Sequence, residues 1–107
     1  IRKIELSIYE TQCGRKTFIE WLDSIKDRLD RVRIKTRLDR VSLGNLGDYK
    51  PISGDIFELR FLFHSGFRVY YAKECTNKIL LLTGENKVTQ RRDIKKAREY
   101  WEDFLSR

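Results

Sequence analysis

The stretch DIFELRFLFHSGFRVYYA, residues 55–72, decides the fold. In its first half Phe57, Leu59, Phe61 and Phe63 alternate with Glu58, Arg60 and Leu62, the period of a strand with an aromatic face turned to the core. In its second half Phe67, Val69 and Tyr71 alternate with Arg68 and Tyr70. The two runs are predicted to form a hairpin, and the loop length decides which residues of the second run join the aromatic face. A two-residue loop at Ser65-Gly66 would set Arg68 opposite Phe63, where an unpaired guanidinium costs several kcal/mol. A three-residue loop, His64-Ser65-Gly66 with Gly66 left-handed, pairs Phe63 with Phe67 instead. That register carries Arg60, Arg68 and Tyr70 together onto the other, solvent-open face.

Outward from the hairpin, Lys78 to Thr83 reads as a further strand after the turn pair Thr76-Asn77. The run from Arg2 to Tyr9 alternates Ile4, Leu6 and Ile8 with polar residues, a half-buried first strand. Phe18, Leu22, Ile25 and Leu29 fall on one helical face, widened by Ile19 and Trp21. A second helix is expected from about Asp30, with Ile34, Leu38 and Val41 inward and Arg33, Arg37 and Arg40 in solvent. Ser42 to Gly54 contains three glycines and the sole proline, Pro51, and reads as a loop. A last helix from about Thr89 is expected to pack through Ile94, Ala97, Trp101 and Phe104. The order strand-helix-helix-strand-strand-strand-helix predicts an α+β fold, a helix hairpin packed on a four-stranded, mainly antiparallel sheet. Residues 1–107 are read as one domain.

Lys and Arg outnumber Asp and Glu by 23 to 16, a net charge of +7, which favours nucleic acid or an acidic protein as partner. Cys13 and Cys75 are widely separated and suggest neither a zinc site nor a disulfide framework, as in a reducing compartment. The longest apolar run is Ile79 to Leu82, far short of a membrane span, and no signal-peptide core opens the chain, so a cytoplasmic location is expected. Met is absent and the chain opens on Ile1, so the natural chain is expected to begin earlier.

Arginines are poor strand formers, and two on one face need a reason. One is a phosphate cradle, since a guanidinium binds phosphate oxygens two at a time; the other is ion pairing with Glu58 or a helix carboxylate. As an exposed phosphate ligand, Arg68 would be dispensable for folding. Between Lys87 and Arg98 six basic residues stand against one acidic residue, at a helix N-terminus that itself favours anions. His64 reads as a surface turn residue.

The combination Glu58-Leu59-Arg60, Gly66-Phe67-Arg68-Val69-Tyr70-Tyr71, Leu82-Thr83-Gly84, then Lys87, Gln90, Asp93-Ile94 and Ala97 resembles the RelE/ParE toxin superfamily, closest to its HigB-like, addiction-module killer branch. The resemblance implies a RelE-like fold and the toxin of a type II toxin-antitoxin system. Such a toxin is a metal-independent, cofactor-free endoribonuclease that cuts mRNA in the ribosomal A site and inhibits translation. Its implied partner is a cognate antitoxin, helix-turn-helix and HigA-like, with no direct DNA binding by the toxin alone. Arg60, Arg68 and Lys87 match the catalytic basic positions, with Tyr70, Gln90, Arg91 and Asp93 as substrate contacts. The family's C-terminal catalytic tyrosine has no counterpart in the expected place: Asp93 falls near it and Tyr100 lies too far along, so the general base stays open. Two alternatives share the fold: a ParE-like toxin that binds DNA gyrase without catalysis, and a non-catalytic RNA- or protein-binding member.

Overall fold

A computed structural model of the chain describes residues 3–61, 66–86 and 90–107, with the side chains of 90–92 left aside. The elements in chain order are β1 (Glu5–Ile8), α1 (Thr17–Ser24), α2 (Arg28–Ser42), β2 (Tyr49–Ser53), β3 (Ile56–Arg60), β4 (Arg68–Cys75), β5 (Lys78–Glu85) and α3 (Gln90–Leu105). The fold is α+β. Its sheet has five strands rather than four, in the order β1-β5-β4-β3-β2, with β1 parallel to β5 and the other pairs antiparallel. The additional strand, β2, lies inside the segment expected to be a loop. It is an edge strand, four of its five residues are exposed, and Pro51 sits where a missing N–H costs little. Such a strand, with Ile52 alone half-buried, has no alternation to announce it.

Each sheet face carries its own core, and the alternation of β3 and β4 assigns residues to them. Leu59, Phe61, Val69 and Tyr71 join Phe18, Leu22, Ile34, Leu38 and Val41 of the α1–α2 hairpin. On the other face Ile56, Tyr70, Ala72, Leu80 and Leu82 pack against Ala97 and Trp101 of α3, with Ile94, Tyr100 and Phe104 at the margin. The last helix therefore packs by the residues its spacing selects. It also closes the face expected to be open, and Tyr70 is fully buried rather than in solvent.

The hairpin register differs from expectation by two residues. Arg60 stands opposite Arg68, Glu58 opposite Tyr70, and the Phe61 amide donates to the Phe67 carbonyl at 3.0 Å. The loop is longer than three residues; Gly66 is left-handed as anticipated, at φ +70°, while Phe63 and its pairing lie outside the described residues. Because the slip is an even number, no side chain changes face. The gain is electrostatic: Arg68 now lies beside Glu58 and opposite Glu85.

Two helix expectations also change. Asp27 caps α2 by accepting from the Leu29 amide at 2.9 Å, so the helix starts at Arg28 and Leu29 becomes an exposed residue of α2. Arg37 is not in solvent. Its guanidinium donates to the carbonyls of Arg60, Leu46 (3.0 Å) and Asp48 (2.7 Å) and lies over the Phe61 ring, fastening α2 to the end of β3 and the approach to β2.

Trp101 is 9% exposed and stacks on Phe104. Trp101→Ala is expected to cost about 3–5 kcal/mol in urea unfolding, whereas Leu29→Ala should stay within about 0.5 kcal/mol.

Candidate functional site

Strand pairing places Arg60, Arg68 and Glu85 in one row across β3, β4 and β5, with Glu58 and Tyr70 in the row beside it. Two guanidinium groups directly opposite each other repel, and the two carboxylates relieve that repulsion. Glu58 Oε1 lies 3.3 Å from Arg60 Nε, and Glu58 Oε2 lies 3.9 Å from Arg68 Nε. Glu85 Oε1 lies 3.5 Å from an Arg68 terminal nitrogen and accepts the Tyr70 hydroxyl hydrogen bond.

The burial is graded. The side chains of Glu58 and Glu85 are 3% and 0% exposed, against 39% for Arg60 and 22% for Arg68. The cations form the outer layer and the carboxylates the inner one. The contacts are ionic more than aligned: among the described residues, Glu58 Oε2, Glu85 Oε2, Arg60 Nε and an Arg68 terminal nitrogen are buried without a hydrogen-bond partner. Burial raises the Glu85 carboxyl from 4.5 to about 7; Asp93 pushes the same way, and Tyr70 and Arg68 oppose it. The Tyr70 hydroxyl is held well above its ordinary value, first by burial and then by its bond to Glu85.

Beside this group a cavity of about 740 Å³ opens at the C-terminal end of β5, between α1 and α3. Trp21, Tyr100, Gly84, Glu85, Asp93 and Lys96 are among its walls. A cavity of this size can take a nucleotide-sized ligand. Trp21 sets its depth by lying flat on Gly84, where an added Cβ would be 2.3 Å from the ring.

The site residues expected from sequence are thus brought together in part. Arg60 and Arg68 share one face of the sheet beside Glu58 and Glu85, and Asp93 lines the cavity with Glu85. Tyr70 shares the face, but its hydroxyl is committed to Glu85 in the interior and cannot contact substrate. Lys87 lies outside the described residues, and so do the side chains of Gln90 and Arg91 in the first turn of α3. Arg68 also proves to be more than a surface ligand, because it neutralises two buried carboxylates. Glu85 is a site residue that the sequence hardly marks: its signal is a glutamate three residues past the apolar run Ile79 to Leu82, in a strand two residues longer than expected.

Gly84→Ala is expected to cost about 1–3 kcal/mol through overpacking. The Gly84→Ala, Trp21→Ala pair should cost less than the sum of the single changes in a double-mutant cycle, because removing the ring removes the collision. Stability should also carry the signature of Glu85. A carboxyl whose value is raised on folding stabilises the native state fully below about 4.5, and that contribution is lost as pH rises through about 7. The melting temperature should therefore fall between pH 5 and pH 7.5, and Glu85→Gln should flatten that slope.

No family model matches the chain. A protein of Haemophilus influenzae described as uncharacterized is 39% identical to it over 82 residues, which cover 77% of this chain and 83% of that protein. Among the described residues, no helix is long and apolar enough to cross a membrane.

Proposed function

The chain belongs to the family of that Haemophilus influenzae protein, and from the chemistry of its site we propose that it is a RelE-like toxin of a type II toxin-antitoxin system, a cytoplasmic endoribonuclease that cuts mRNA on the ribosome. The observation that carries this reading is the row Arg60–Arg68, two partly exposed arginines backed by buried carboxylates. Cleavage by the ribose 2′-hydroxyl needs the phosphate held in line and its growing charge neutralised. Guanidinium groups held beside a layer of buried carboxylates can offer both. The basic run from Lys87 to Arg98 supplies charge for the rest of the RNA backbone, and an antitoxin would silence the protein by covering the same face.

One observation favours a second reading. Arg60, Arg68, Glu58 and Glu85 contain two cations and two carboxylates, so the group has no formal excess of positive charge when both acids are ionised. That balance suits a ParE-like or other non-catalytic binding module, for which the quartet is only a structural unit.

Translation of a defined mRNA in a reconstituted system, followed by primer extension, separates the two. Codon-spaced cuts are expected from the nuclease; inhibited supercoiling by DNA gyrase without cuts would establish the other. The informative variant is Arg68→Lys rather than Arg68→Ala. Truncation would leave the buried Glu85 without its Arg68 ion pair, at a cost of roughly 3–5 kcal/mol, whereas lysine keeps the charge and loses the two-pronged geometry. Cutting should fall at least about tenfold in Arg68→Lys while the melting temperature stays close to the parent's.

A further inference from the structure

We propose that Arg68 engages an RNA phosphate with uptake of one proton by Glu85, so that this glutamate, which does not touch the RNA, is a positioning residue that releases the arginine from carboxylate to phosphate. The inference rests on the RNA-binding reading above and adds to it a coupling between proton and ligand.

The geometry is specific. Glu85 Oε1 is shared between the Arg68 guanidinium and the Tyr70 hydroxyl, while Oε2 has no hydrogen-bond partner among the described residues, in a side chain with no solvent exposure. A phosphate arriving at Arg68 brings a further negative charge close to two carboxylates. Glu58 touches both arginines and stays compensated when Arg68 is shared. Glu85 has Arg68 as its ion-pair partner and stands next to Asp93, so the incoming charge bears most heavily on it. Protonation at Oε2 removes that repulsion. The step takes one proton from solvent and converts a carboxylate to a carboxylic acid; no other bond changes.

The groups facing Glu85 come from every side. Arg68 and Tyr70 lie on β4 and Glu58 on β3; Asp93, Lys96 and Tyr100 of α3 share the cavity wall. Across the cavity stand Arg15, Glu20, Lys26, Asp27 and Asp30, around α1 and the start of α2. The carboxyl's own midpoint near 7 places the exchange within the ordinary range of cell pH. Below it the quartet holds two cations against one carboxylate; above it the charges balance.

The test uses a short 2′-O-methyl oligoribonucleotide without terminal phosphates, which cannot be cleaved and whose own backbone does not titrate near neutrality. Its Kd, at fixed ionic strength, should be about tenfold tighter at pH 6 than at pH 8, the limit for one linked proton being tenfold per pH unit. Glu85→Gln, a neutral isostere, should bind within about twofold of the parent's pH 6 value at both pH values. Calorimetry of the unaltered protein at pH 7.5, in two buffers of different ionisation enthalpy, should show uptake of up to about three-quarters of a proton, because a carboxyl with its midpoint near 7 is already about a quarter protonated there, and requires no variant to fold. Binding that is independent of pH with no proton uptake overturns the coupling and leaves the RNA reading standing. A pH dependence that survives in Glu85→Gln assigns the proton to another group, such as His64, and also overturns it. Absence of oligonucleotide binding at either pH overturns both.

Discussion

Glu58 and Glu85 are carboxylates buried in the middle of a sheet, and their need for countercharge organises what surrounds them. An ionised carboxyl removed from water is tolerated only when cations or hydrogen-bond donors take the place of its hydration. Here Arg60, Arg68 and Tyr70 do so, and the strand register is the one that brings all five side chains within reach. A three-residue loop would have put Arg60 opposite Tyr70 and left Arg68 away from Glu58. The same constraint turns two arginines that could have been floppy surface groups into an oriented pair.

The two cores divide the work. The α1–α2 side is mainly apolar and packs the helix hairpin on the sheet, with Trp21 pressed on Gly84. The α3 side mixes apolar packing near Trp101 with the charged group near Glu85, so one helix both completes a core and stands along the wall of the cavity. Arg37 ties α2 to the end of β3: one of the three carbonyls it binds is that of Arg60, a residue of the site.

Much of this is legible in the residues. Alternation in 55–72 assigned Arg60, Arg68, Tyr70, Val69 and Tyr71 to their faces correctly, because facing depends only on parity. It could not give the register, since an even slip leaves every hydrophobic in place, and of the two carboxylates that select among even slips only Glu58 lies in this stretch, while Glu85 is on the next strand. β2 escaped because an edge strand with exposed polar residues and Pro51 has no core pattern. Tyr70 was misread as exposed because a sheet face is open or covered according to where a distant helix lands. Arg37 looked like a solvated member of a stripe, yet its partners are backbone carbonyls, which carry no mark in a sequence.

The latch at the far end of α3 bears on the order in which the molecule is completed. Asp103 accepts from Tyr9 at 2.6 Å and from Gln12 at 2.9 Å, and is paired with Arg107, whose guanidinium lies over the Tyr9 ring. The contacts of Tyr9 and Gln12 with Asp103 and Arg107 join residues more than ninety positions apart, and contacts of such separation close last. While the chain emerges from a ribosome, the sheet and the helix hairpin can assemble first, with Tyr70 and Glu85 still bare to water and Glu85 titrating as an ordinary glutamate. The charged group then acquires its buried character only when the final helix docks. A nascent chain without α3 in place therefore holds the arginines without the desolvated layer beneath them, and the finished site depends on that helix having docked.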